Sequence, residues 1–75
     1  MERYKNIGGN SGVSYYEIGE DFIIVYFSDN SSYLYNYAKT GSMNVEKMKL
    51  FAVNGQGLNS FINITVKYKY ALKLR

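Results

Sequence analysis

The last segment of the chain carries basic side chains interleaved with aromatic ones. Lys67, Lys69, Lys73 and Arg75 alternate with Tyr68 and Tyr70. Lysine and arginine side chains bind phosphates, and tyrosine rings stack on unpaired bases. On a helix, Lys69 and Lys73 would share one face with Tyr70 beside them. The stretch therefore predicts a nucleic-acid-binding surface, although a solvated C-terminal turn would carry the same residues.

A second group of aromatic side chains lies near the middle of the chain, where Tyr33, Tyr35 and Tyr37 alternate with other residues. Side chains two positions apart in a strand point to the same face of the sheet. If that face is open, the three rings are spaced to stack on single-stranded nucleic acid. The alternative is structural, because strand tyrosines often have a buried ring and a wet hydroxyl.

The register of the preceding hairpin decides between these two alternatives. A two-residue loop at residues 29–30 pairs Tyr33 with Tyr26, whereas a three-residue loop at residues 29–31 pairs it with Phe27. In the second register the tyrosines share the most apolar face of the sheet and lie under helices.

A glycine-containing turn, residues 54–59, is the third candidate for chemistry. It reads Asn-Gly-Gln-Gly-Leu-Asn and leads into a segment that can be helical. Free backbone N–H groups at a helix start can hold a phosphate. The turn lacks the Lys-Ser/Thr pair that completes a P-loop. A plain connection between two helices, in which Asn59 hydrogen-bonds to the backbone, is the competing interpretation.

Catalytic groups are scarce in this chain. It has no cysteine and no histidine, which removes thiol nucleophiles, imidazole bases and zinc sites of ordinary composition. The acidic residues fall mostly in turns and at predicted strand ends, and Glu20 and Asp21 are chain neighbours that cannot flank a substrate. We therefore expect a non-catalytic protein with no metal and no cofactor.

Charge is distributed unevenly along the 75 residues. Residues 1–38 carry two basic and five acidic side chains, whereas residues 39–75 carry seven basic and one acidic. This asymmetry is typical of a polyanion-binding face, and solvated lysines on helices produce it as well.

Three strands are predicted in the first half of the chain. High β-branched and aromatic content, interrupted at residues 19–21 and 29–30, predicts strands over residues 13–18, 22–28 and 32–38. The five residues 8–12, with three glycines, precede them and hold no regular structure.

Helical periodicity begins after the third strand. Val45, Met48, Phe51 and Ala52 recur on one face of a helix that Ser42 can cap and that ends at the glycines of residues 54–57. The final segment is ambiguous: residues 62–70 alternate like a strand, and residues 58–69 also form one helical stripe.

The order of these elements and several residues resemble the KTSC domain, a short bacterial and phage module named after the C-terminus of some lysyl-tRNA synthetases. The matching positions are Phe27, Asn30, Tyr33 and Tyr35, followed by Gly55, Leu58, Asn59 and Ile62. Asn30 stands where the family usually has glycine. The resemblance covers residues 11–70. It implies that the segment after Gly57 is helical, and the synthetase context implies RNA binding.

We accordingly predict an α+β fold: a three-stranded antiparallel β-meander followed by two α-helices packed on one face, in the order β-β-β-α-α. Residues 1–12 are expected to form a flexible arm and residues 13–75 a single KTSC-like domain. The predicted core consists of Val25, Phe27, Tyr35, Val45, Met48, Phe51, Leu58 and Ile62.

The function expected from these features is that of a small binding module for RNA or other single-stranded nucleic acid. Its predicted contacts are Tyr33, Tyr35, Lys67, Lys69, Tyr70, Lys73 and Arg75. The alternative is a protein-binding module, such as a phage-encoded inhibitor of a host enzyme or defence complex, and an open sheet face would also permit self-association into a homo-oligomer. The longest apolar run, residues 22–27, is too short to span a bilayer, and no secretory signal begins the chain, so a cytoplasmic bacterial protein without membrane contact is expected.

Overall fold

The computed structural model describes residues 1–9 and 11–75, which form an α+β structure with one antiparallel sheet. Its elements in chain order are β1 (Glu2–Arg3), β2 (Val13–Ile18), β3 (Phe22–Phe27), β4 (Ser32–Asn36), α1 (Tyr37–Thr40), α2 (Ser42–Asn54), α3 (Leu58–Phe61), a π-helical segment (Ile62–Val66) and β5 (Leu72–Lys73). Within these residues, no helix combines the length and apolar character needed to cross a bilayer.

The sheet has five strands in the order β1-β2-β3-β4-β5, so the prediction of a three-stranded β-β-β-α-α fold is wrong. The three predicted strands are present, and β1 and β5 extend the sheet at its two edges. Each edge strand pairs through only two residues. Two residues are too few to display a period, and backbone hydrogen bonds to an existing edge do not depend on side-chain pattern.

The N-terminal residues pack on the domain, in contrast to the loose arm expected over residues 1–12. Arg3 pairs with Tyr15, and the Tyr4 ring is buried in the core. The Ile7 backbone N–H also donates to the Gly55 carbonyl at 2.8 Å. The expectation for Asn10 lies outside the described residues.

The hairpin between β3 and β4 adopts neither predicted register. Tyr33 pairs with Val25 and Tyr35 with Ile23, and the Phe27 N–H donates to the Ser31 carbonyl at 2.8 Å. The loop is therefore three residues long, but it spans residues 28–30. Each tyrosine pairs two positions away from the partner that the second register predicts, so its side chain points to the same face of the sheet as in that prediction. Tyr33 and Tyr35 therefore share with Val25 the inner face, which is the face under the helices. Tyr37, expected on the same strand, begins α1 instead.

The helices cover this inner face and close the core. Six of the eight predicted core residues are buried, and Phe27 and Phe51 are partly buried against the core. Further core residues are Tyr4, Val13, Tyr16, Ile23, Ala52 and Val66. Helix α2 begins after Gly41 without a side-chain cap, so the predicted capping by Ser42 is not present.

The segment after Gly57 is helical over residues 58–66, as predicted, but not beyond them. The chain leaves the helix at Lys67, turns, and returns along β4 as β5. Two hydrogen bonds fix this path: the Ala71 N–H donates to the Leu34 carbonyl at 2.7 Å, and the Thr40 hydroxyl donates to the Lys69 carbonyl at 2.6 Å. Lys69 and Lys73 therefore do not share a helix face.

Candidate nucleic-acid interface

A cavity of about 410 Å³ opens where the β3–β4 loop faces the end of the π-helical segment. We call it the tyrosine cavity, because Tyr33, Tyr35, Tyr68 and Tyr70 line it. Its volume falls within the range of about 300–1,000 Å³ typical of small-ligand pockets. The remaining lining residues are Gly12, Phe27, Ser28, Asp29, Ser31, Asn59, Ile62, Asn63 and Lys67.

The rings of the tyrosine cavity contact one another. The centroid of Tyr33 lies 4.9 Å from that of Tyr70 and 5.9 Å from that of Phe27, and both pairs meet edge to face. These geometries are favourable for aromatic pairs. The Tyr33 ring is thereby held between strand β3 and the C-terminal segment, and the cavity wall is built from rings already in contact.

Tyr35 occupies the deepest position and is 1% exposed. Burial, followed by the neighbouring hydroxyls of Tyr33 and Tyr70, raises the pKa of Tyr35 far above its ordinary value. The hydroxyl therefore stays neutral throughout the physiological range. A ring so enclosed is part of the core, which corrects the prediction that Tyr35 offers its face to a base.

The basic residues divide into those at the tyrosine cavity and those away from it. Lys67 lines the cavity and its ammonium lies 5.7 Å from the ring centroid of Tyr68. Lys73 lies on β5, with its ammonium 5.8 Å from the ring centroid of Tyr33. Both distances are in the cation–π range. Lys69 is exposed outside the cavity lining, and Arg75 lines a separate depression with Tyr15 and Tyr26.

Five of the seven predicted site residues thus come together around the tyrosine cavity: Tyr33, Tyr35, Lys67, Tyr70 and Lys73. Lys69 and Arg75 do not join them. The third candidate, the turn at residues 54–59, contributes Asn59 to the cavity wall.

Asn63 is a lining residue that sequence reasoning missed. It belongs to the π-helical segment, and it lies four positions after Asn59 and four before Lys67. That spacing is the signal that could have identified it, because such residues lie on one side of a helix. π-Helical turns are rare and occur frequently at functional sites. Here the unusual turn carries part of the polar wall of the cavity.

Asp29 introduces a negative charge at the mouth of the tyrosine cavity. Its carboxylate accepts hydrogen bonds from the Ser31 hydroxyl at 2.6 Å and from the Ser31 N–H at 3.0 Å. The side-chain hydrogen bond and then the backbone one hold the pKa of Asp29 below its ordinary value, and Lys73 lowers it further. The carboxylate is consequently ionised at neutral pH and offsets part of the positive charge of Lys73.

The acidic side chains in the described part of the chain form no metal-binding cluster. No group of three or more acidic, histidine or cysteine side chains is placed to hold a metal ion within residues 1–9 and 11–75. The tyrosine cavity offers a ligand aromatic faces, two side-chain amides, hydroxyls and lysines.

Comparisons with known proteins return no relative: no family model, no curated protein and no solved structure matches this chain. The resemblance to the KTSC domain therefore stays a prediction that rests on the residues quoted for it.

Proposed function

We propose that the protein binds single-stranded nucleic acid, RNA in the first place, with unpaired bases at the tyrosine cavity and phosphates at the lysines beside it. The observation that carries this proposal is the convergence of Tyr33, Tyr70 and Lys67 on one cavity from distant parts of the chain. Aromatic rings flanked by lysines are the combination by which proteins bind single strands.

Ring surface is available at the cavity even though Tyr35 is buried. Tyr68 is 80% exposed, and Tyr33 and Tyr70 are partly buried. Stacking of one base on a tyrosine contributes about 1–3 kcal/mol. Tyr68 is the ring with the most free surface, and it is the first ring that an incoming base would meet.

The side-chain amides of Asn59 and Asn63 suit a ligand that has hydrogen-bond donors and acceptors side by side. Each side-chain amide offers both a donor and an acceptor, which is what the edges of nucleobases require. Bases in a duplex have these edges occupied, and their faces are covered by neighbouring base pairs. The cavity therefore favours single strands, loops or bulges over continuous helices.

The phosphate contacts in this proposal come from three lysines. Lys67 and Lys73 lie against the rings of Tyr68 and Tyr33, and Lys69 lies between them in the sequence with its side chain exposed. Asp29 opposes them, so the local field is weaker than the lysine count indicates. We expect moderate affinity that falls as salt is added.

Fluorescence anisotropy with a labelled single strand of about ten nucleotides tests the proposal, since site sizes are commonly about 4–16 nucleotides. Tyr68→Ala should weaken binding by roughly 5- to 150-fold, which corresponds to about 1–3 kcal/mol. Tyr37→Ala is the matched control, because Tyr37 is also exposed but lies on α1 outside the cavity lining. Equal binding to a duplex or to base-free polyphosphate, or equal effects of the two variants, would contradict the proposal.

A second candidate function is a protein-binding module. The observation that favours it is a set of apolar side chains exposed on the opposite face of the sheet, among them Tyr15, Leu72 and Leu74. Affinity capture from bacterial lysate treated with nuclease separates the two candidates. A stoichiometric protein partner that survives nuclease and is lost on Leu72→Glu supports this second function.

A further inference from the structure

The face of the sheet turned away from the helices carries apolar side chains in two adjacent cross-strand rows. The pairings Tyr15 with Tyr26, Ile24 with Leu34 and Leu34 with Leu72 place these residues side by side across four strands. We call this surface the outer sheet face and define it by Tyr15, Ile24, Tyr26, Leu34, Leu72 and Leu74. Leu72 is 56% exposed, Leu74 44% and Tyr15 41%, whereas Ile24, Tyr26 and Leu34 between them are partly buried.

The charged side chains of the outer sheet face change sign along the strand direction, between the row of Tyr15 and the row of Glu17 two residues further along β2. At one end, Arg3 pairs with Tyr15, and Arg75 lines a depression with Tyr15 and Tyr26. Towards the other end, Glu17 pairs with Ile24, and Glu20 follows in the β2–β3 turn. The surface is therefore basic at one end of the strands and acidic at the other.

Two further carboxylates, those of Asp21 and Asp29, affect the charge at the two ends of the outer sheet face. Asp21 belongs to the same turn as Glu20 and adds to the acidic end. Asp29 lies in the β3–β4 loop near the basic end, but its carboxylate is engaged by Ser31. The two arginines consequently dominate at that end. At the acidic end the Lys49 ammonium donates to the Glu20 carbonyl at 2.9 Å and offsets one of the three carboxylates, so the two ends keep opposite signs.

We propose that the outer sheet face binds a second copy of this chain and forms a twofold-symmetric dimer. A twofold axis that runs across the strands reverses strand direction between the copies, and it brings Arg3 of one copy towards Glu17 of the other. An axis along the strands would instead stack like charges on each other, which is unfavourable. The surface is thus complementary to itself in one orientation, which is the requirement for an isologous dimer.

The size of the surface sets the expected strength of the dimer. Strands β2 to β4 lie about 4.8 Å apart and have five or six residues that rise about 3.3 Å each, which gives a face of roughly 14 by 20 Å. The two-residue strands β1 and β5 widen this face only at its edges. Such a face is smaller than the ~800 Å² per partner of a standard stable interface. The dimer should therefore be reversible and belong to the weak, transient class of interfaces, which bury less than about 1,200 Å² in total.

Sedimentation velocity of nuclease-treated protein over a range of concentrations measures this equilibrium. Leu72→Glu places a carboxylate on the outer sheet face and should raise the dissociation constant at least tenfold, because burying an unpaired charge in an interface costs more than about 1.4 kcal/mol. Leu50→Glu is the matched control, since Leu50 is an exposed leucine on α2, away from the sheet. Circular dichroism establishes that both variants fold.

Charge reversal tests the orientation and does not depend on the apolar substitution. Arg3→Glu should raise the dissociation constant about tenfold by setting like charges together, and Arg3→Glu combined with Glu17→Arg should restore it to within about threefold. A protein that stays monomeric up to about 1 mM, or one whose dimer is weakened equally by Leu50→Glu, would overturn the proposal. A monomer that captures a different protein through Leu72 would overturn it as well.

Discussion

The hydroxyl of Tyr4 accepts a hydrogen bond from the backbone N–H of Leu58 at 3.3 Å, although the two residues are 54 positions apart in the chain. Leu58 begins α3, and the first N–H groups of a helix have no partner within the helix. The ring of Tyr4 is 3% exposed and belongs to the core. The N-terminal segment therefore supports the helix that carries Asn59 into the wall of the tyrosine cavity.

Substitution of Tyr4 should reveal this support. Tyr4→Phe removes one hydrogen bond and should lower the free energy of unfolding by about 1 kcal/mol. Tyr4→Ala also removes a buried ring and should lower it by roughly 3–5 kcal/mol. Urea denaturation measures both values. Equal stability of Tyr4→Ala and the parent protein would show that the N-terminal residues contribute nothing to the fold.

Gly55 is predicted to tolerate no side chain. Its φ of +78° lies in the left-handed region, and an added Cβ would lie 2.5 Å from the Cβ of Lys5. Gly55→Ala should therefore destabilise the protein by more than about 1 kcal/mol. Gly8→Ala is the control, because an added Cβ at Gly8 meets no atom within 4 Å. Thermal denaturation should separate the two variants, and equal melting temperatures would contradict the close approach of Lys5.

Tyr35 should contribute to the stability of the fold and make no direct contact with nucleic acid. Tyr35→Ala is expected to cost about 3–5 kcal/mol, a large share of the roughly 4–11 kcal/mol available to a chain of this length. Circular dichroism should then show a largely unfolded protein or one with a strongly lowered melting temperature. A folded Tyr35→Ala variant with normal stability and weakened nucleic-acid binding would restore the stacking role predicted from the sequence.

Sequence reasoning identified the elements that have a clear period. Strands β2 to β4 and helix α2 are each long enough for alternating or helical spacing to show, and their predicted bounds are close to the observed ones. The two-residue strands β1 and β5 carry no such signal, since their position depends on backbone pairing with the edges of β2 and β4. This is why the sheet was predicted with too few strands.

The candidate site was predicted in part for a similar reason. The types of Tyr33, Lys67 and Tyr70 indicated a binding surface, and these three residues do meet at one cavity. The helix assumed to carry Lys69 and Lys73 ends earlier, because the chain turns at Lys67 to pair with β4. The periodicity of apolar residues within a segment gives no information about that tertiary contact.

Asp29 should weaken nucleic-acid binding in the parent protein. Its carboxylate is ionised at neutral pH and lies near Lys73, where it repels phosphates. Asp29→Asn should strengthen binding of a single strand about two- to fivefold at low salt, in proportion to the modest energy of an exposed charge pair. Fluorescence anisotropy at 50 and 200 mM salt checks this value, and the gain should shrink at the higher concentration. Weaker binding by this variant would place the phosphates away from Lys73.

The salt dependence of single-strand binding is the most direct test of the nucleic-acid interface. Contacts from Lys67, Lys69 and Lys73 to three phosphates predict a slope of about −2 for the logarithm of affinity against the logarithm of salt concentration. Lys67→Ala combined with Lys73→Ala should flatten this slope by about 1.4, whereas Lys47→Ala on α2 should leave it unchanged. No binding at 50 mM salt and tens of micromolar protein, or a slope that the double substitution does not alter, would contradict the account.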